Sequence, residues 1–154
     1  KAGDADPVSG FKSKSGRAFR DKCALLRFAF DAGIRICLGD DYGTLTTPHG
    51  LYGFEPGVFV DHASLTPLEV LYCATVNGAA LVGNPDLGRI RPGALADIIV
   101  VEADPVDDVR VLSDPSNIVA VMREGALVID RLPRGEKPET ATDAHPRAAR
   151  AARF

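Results

Sequence analysis

Residues 34–43 read IRICLGDDYG, a short β-branched apolar run that ends in a glycine and then sets Asp40 and Asp41 side by side. In parallel sheets, open or closed, ligand-binding groups sit just past the C-terminal ends of the strands. A carboxylate in that place can ligate a divalent metal, and it can take a proton from metal-bound water, whose pKa the metal lowers toward neutrality. Asp is equally a common loop residue after a strand, and on these ten residues alone the capping reading outweighs the chemical one. Three histidines accompany the pair. His49 lies in the loop after Asp41, His62 ends a short helical stretch that includes Val58 and Val60, and His145 falls near the end of the chain. None of them follows a strand pattern. His62 reads as a surface histidine and His145 carries no role.

The elements that must position these residues are marked clearly. Phe19, Cys23, Leu26 and Phe30 recur at steps of four, three and four, which lines one face of a helix over residues 17–32, with Gly33 as its stop. Residues 34–38 read as a strand buried on both faces, as parallel strands covered by helices are. Residues 42–54 form a long loop with Gly43, Pro48, Gly50 and Gly53, and long loops after such strands are often functional. The next helix has a full start signal: Thr66 as N-cap, Pro67 at the first helical position, Glu69 closing a capping box, and Leu65 facing Val70. It should run over residues 67–82 to Gly83, with Leu68, Leu71, Tyr72, Thr75, Val76, Ala79 and Val82 on its core face. Beyond Gly83 the pattern turns to strands. LADIIVVEAD gives one, and IVAVMREGALVID gives two around a tight Glu124-Gly125 turn. The first sixteen residues lack apolar periodicity and read as a loop, and residues 132–154 read as a mostly disordered tail.

Composition narrows the function. A chain of 154 residues with 45% hydrophobic content can bury a real core, and its net charge of −3, with both signs interleaved, points to no nucleic-acid partner. No apolar run approaches a membrane span. Cys23, Cys37 and Cys73 lie in apolar stretches at spacings that fit neither a metal pair nor a disulfide framework, so they read as free, buried thiols. The first residue is Lys1 rather than methionine, which suggests a processed or truncated chain; a cytoplasmic location is the expectation.

GIRICLGDDYG, PHG, LTPLEVLYCATVNGAALVG, LGRIRPGALADIIVVEADP and VMREGALVI follow one another in a characteristic order and spacing. In this the chain, over about residues 33–130, resembles the C-terminal end of the amidohydrolase superfamily, in its imidazolonepropionase-like and Xaa-Pro dipeptidase-like branch. The resemblance implies an α/β fold. Residues 1–84 would be the last part of a (β/α)8 TIM barrel, with its final strand and flanking helices, and residues 85–131 would be strands of a small composite β-sandwich. The strand ending in Gly-Thr-Asp is the eighth of the barrel in that family, and its Asp binds metal and serves as general base; by position that residue is Asp41. Asp40 stands where the family usually has Thr, and alternation along a strand should point it away. His49 matches the family's His-Gly and could line the substrate pocket, with an exposed loop histidine the equal alternative. Asp97, in the PGxxADxVV turn, should fix that turn by hydrogen bonds.

The activity so implied is hydrolysis of a C–N bond in an amide, cyclic amide or amidine of a small-molecule substrate, through water activated by a divalent metal, zinc first. The family's His-x-His pair and its later single histidines have no counterpart here. The isolated chain is therefore expected to be an inactive fragment, or a subunit dependent on a missing N-terminal barrel segment or a second copy of itself. A deaminase of the same superfamily is the rival activity.

Overall fold

The computed structural model describes residues 16–39, 41–44 and 47–133. The expected N-terminal loop, the orientation of Asp40, His145 and the tail beyond residue 133 lie outside them.

The first helix, α1 (Gly16–Asp31), buries Cys23 and packs Phe19, Leu26 and Phe30 against the core, the face its spacing predicts. It ends in a Schellman motif: Gly33 takes a φ of 77°, its N–H donates to the Phe30 carbonyl at 2.9 Å, and that of Ile34 to Ala29 at 2.9 Å. Helix α2 (Glu55–Ala63) buries Phe59 and Ala63 against α1. The third helical element runs as α3 (Pro67–Tyr72), one π turn (Cys73–Asn77) and α4 (Gly78–Val82), closed by Gly83 at φ 77°. The capping box forms as the sequence predicts. Glu69 N–H donates to Thr66 Oγ1 at 3.3 Å, and Thr66 N–H donates to Glu69 Oε2 at 2.8 Å. Arg27 donates to the same Glu69 carboxylate at 3.0 Å, which ties α1 to the first turn of α3.

The face this helix buries differs from the expected one. Val70, Cys73 and Asn77 are buried and Leu71 packs on them, while Leu68, Tyr72 and Val82 are 62%, 46% and 73% exposed. Apolar residues occupy two sides of the helix. Periodicity alone could not choose between them, and a polar Asn77 at the end of the buried stripe disguised it.

Residues 34–38 correct a second expectation. They form no strand: among the described residues no neighbouring chain offers them a ladder, and a strand exists only as one member of a pair. The segment is held instead by Ile36 and Leu38, which pack on the helical core, and by Asn77, whose Nδ2 donates to the Ile36 carbonyl at 2.8 Å.

The strands that do form are β1 (Ile98–Val101), β2 (Ile118–Arg123) and β3 (Ala126–Asp130), an antiparallel sheet in sequence order. Ile99 pairs with Val121 and Val121 with Ile129. Glu124 and Gly125, at φ 49° and 83°, make the two-residue turn their sequence predicts. Asp97 accepts the Glu124 N–H at 2.7 Å, so its hydrogen bond fixes the β2–β3 turn rather than the Pro92-Gly93 bend. Ile99, Leu127 and Val128 remain exposed.

Between β1 and β2 the chain returns to the helices. A 3-10 turn (Val109–Ser113), capped by Asp108, packs on α2 and α3 and sinks Val109 to 0% exposure in the helical core. Gly53 is obligatory beneath it, because a Cβ there would sit 1.9 Å from the Leu112 carbonyl oxygen. The three cysteines are free thiols; Cys23 and Cys73 are buried, which raises their pKa, whereas Cys37 is only partly buried, against expectation.

Candidate active-site loop

Asp41 stands at the head of the long loop between residues 39 and 55. At the neck of this loop the Gly39 N–H donates to Glu55 Oε1 at 3.1 Å, so the first residue of α2 closes on the end of the extended segment. Asp41 is exposed, and its own carbonyl accepts from Thr47 Oγ1 at 2.7 Å. Thr47 is held in turn: its carbonyl accepts the Gly43 N–H at 2.8 Å, and its N–H donates to Thr44 Oγ1 at 3.2 Å. A tight ring of backbone and hydroxyl bonds therefore fixes the Asp41 main chain.

His49 is exposed and belongs to the same loop. Its Nδ1 lies 3.0 Å from the Tyr52 hydroxyl, and its ring rests on Gly43 so closely that a Cβ at that residue would meet Nε2 at 2.9 Å. Gly43 has a φ of 105°, which also favours glycine. Tyr52 packs edge-on against Tyr42, the residue after Asp41, with ring centroids 4.6 Å apart. The structure thus places Asp41 and His49 on one loop, with Tyr42 and Gly43 between them. His62 is exposed on α2, edge-on to Phe19 at 5.0 Å, as a surface histidine should be.

Thr47, Tyr52 and Glu55 were not singled out by sequence. The signal available was the density of hydroxyls and rings in DYGTLTTPHGLYGFE, which reads as ordinary loop composition unless the fold shows which of them turn inward. Neither of two surface grooves of about 430 and 390 Å³ touches Asp41 or His49; the first lies along α3 and α4 and the second beside β1.

A carboxylate is an acceptor-only group that suits a hard or borderline divalent cation. Asp41 fits one corner of such a site. Among the described residues no three His, Cys, Asp or Glu groups come together as a coordination set.

Residues 13–128 match the model of the amidohydrolase family. Ochratoxinase of Aspergillus niger is 36% identical over 101 residues, which cover 64% of this chain and 20% of that enzyme. Imidazolonepropionase of Rhodococcus jostii is 32% identical over 126 residues, covering 82% of this chain and 28% of the relative. A crystal structure of a Xaa-Pro dipeptidase with bound methionine in its active site superposes with a TM-score of 0.57 at 30% identity, over 70% of this chain and 25% of that one. The chain spans between a fifth and three tenths of the length of these proteins. With a mixed helix and strand fold, an Asp at the head of the loop, and a match across most of its length, this chain belongs to the amidohydrolase family.

Proposed function

We propose that the chain is the C-terminal portion of a metal-dependent amidohydrolase that hydrolyses a C–N bond in an amide, cyclic amide or dipeptide, and that Asp41 is its general base. The observation that carries this reading is the position of Asp41. It lies inside the family match, at the end of the extended segment and at the entrance of a loop braced on both sides. The carboxylate of Asp41 would accept the proton of the attacking water and, once protonated, deliver it to the leaving nitrogen. A divalent metal, zinc first, belongs to the proposal; when bound it acidifies water and polarises a carbonyl, and Asp41 would hold it together with residues outside this chain. Those same residues would complete the barrel around residues 34–38 and cover the exposed side of α3 and α4. The sheet of β1 to β3 would then be part of a composite β-sandwich.

Asp41→Asn in the intact polypeptide tests the reading. An amide keeps the shape and cannot accept the proton, so turnover should fall by about 100-fold or more. Near-wild-type turnover would remove Asp41 from the chemistry. Asp40→Thr, which restores the residue usual in the family, should leave turnover close to normal.

A further inference from the structure

The loop that carries Asp41 contains a set of contacts that its chemistry does not require. His49 touches Gly43 through one edge of its ring and Tyr52 through the other, and Tyr52 bears on Tyr42. Gly43 donates to Thr47, and Thr47 donates to the Asp41 carbonyl. These contacts lead from the exposed rings to within two residues of the main chain of Asp41.

We propose that His49 and Tyr52 are positioning residues for Asp41: Tyr52 orients the His49 ring, and the ring presses on Gly43 to hold the turn that aims the carboxylate. The proposal rests on Asp41 being the general base. It assigns His49 a place in the loop's architecture rather than in the substrate pocket. The geometry favours this, because Nδ1 is engaged by the Tyr52 hydroxyl and the ring lies beside Gly43, where a Cβ would come within 2.9 Å of Nε2. The glycine supports the same conclusion, since a side chain at residue 43 would crowd the ring and force it to shift.

Misaiming a catalytic group by a fraction of an ångström to an ångström lowers the rate of the chemical step and leaves ground-state binding nearly unchanged. His49→Ala in the intact enzyme should therefore lower kcat by about tenfold with KM within about twofold. Hydrogen exchange gives a readout independent of activity: peptides covering residues 39–55 should exchange about tenfold faster, while those covering residues 118–130 keep their rate. Tyr52→Phe, which removes only the hydroxyl, should move both readouts the same way by less. His49→Gln, which can still meet that hydroxyl, should recover part of each. A raised KM with unchanged kcat and unchanged exchange would make His49 a substrate contact and overturn the proposal, as would no change in either quantity. If His49→Ala also loosens residues 118–130, the Tyr52→Phe result alone decides. Retained turnover in Asp41→Asn would remove the base assignment, and the exchange data would still show whether His49 holds the loop.

Discussion

Removing the amide of Asn77 should unlock the segment that leads to Asp41. Asn77 is 5% exposed and is the one buried polar side chain among the described residues; its Nδ2 donates 2.8 Å to the carbonyl of Ile36. Asn77→Ala removes that donor and leaves the carbonyl facing the core without it, at a cost of about 1–3 kcal/mol. The lost carboxamide also leaves a small void beside Cys73, which is fully buried. The combined loss should be about 2 kcal/mol, and with a urea slope of about 1.5 kcal/mol per molar the midpoint should fall by roughly 1.3 M. Tyrosine fluorescence can follow the transition, since the chain contains no tryptophan. Asn77→Asp is the sharper control. It conserves volume but turns an acceptor toward a carbonyl, so it should destabilise at least as much at neutral pH. It should recover in part as acidification protonates the new carboxyl and restores a donor. A midpoint shift below about 0.3 M for Asn77→Ala would mean that water satisfies Ile36 at little cost, and the reasoning would fail.

Thr66→Ala should lower stability by about 1 kcal/mol through loss of the N-cap, read as a shift in the denaturation midpoint with the same slope. The hydrogen bond from the Thr66 N–H, and then Arg27, lower the pKa of Glu69 below its ordinary 4.5. Stability from this group is therefore full above that value and is lost as pH falls through the lower folded pKa; Glu69→Gln should flatten the acid limb of a stability–pH curve below about pH 4.5. The 154-residue chain by itself should elute from a sizing column ahead of a monomer and bind a dye for apolar surface, because Leu81, Ile90, Ile99 and Val128 are exposed. A sharp monomer peak with no dye signal would show that these side chains need no cover.

The elements most legible in the sequence were those whose signals are local. The Thr66–Glu69 capping box, the Gly33 stop and the Glu124-Gly125 turn each depend on a few adjacent residues and on backbone φ, and each forms as read. Facts set by distant partners were not legible. Val109 is fully buried because α2 and α3 receive it, and nothing in VDDVRVLS marks that residue above its neighbours. The apolar run at residues 34–38 looks like a strand whether or not a neighbour exists to pair with it. At the site, Asp41 was found through its place after that run and through family resemblance. The Thr47, Tyr52 and Glu55 contacts around it emerge only when the loop is closed in three dimensions.

The π turn at Cys73–Asn77 has a consequence for chain length. A π turn is a helix carrying one surplus residue, and the α segments on either side keep their phase around it. Deleting one residue within 73–77 should let the turn relax to ordinary α-helix, with Val70 and Ala79 still facing the neighbours they face now. The same deletion in the flanking α segments would rotate everything beyond it by about 100° and swing one end of the helix off the core. Single-residue length differences among homologous chains should therefore be tolerated inside this turn and selected against on either side of it.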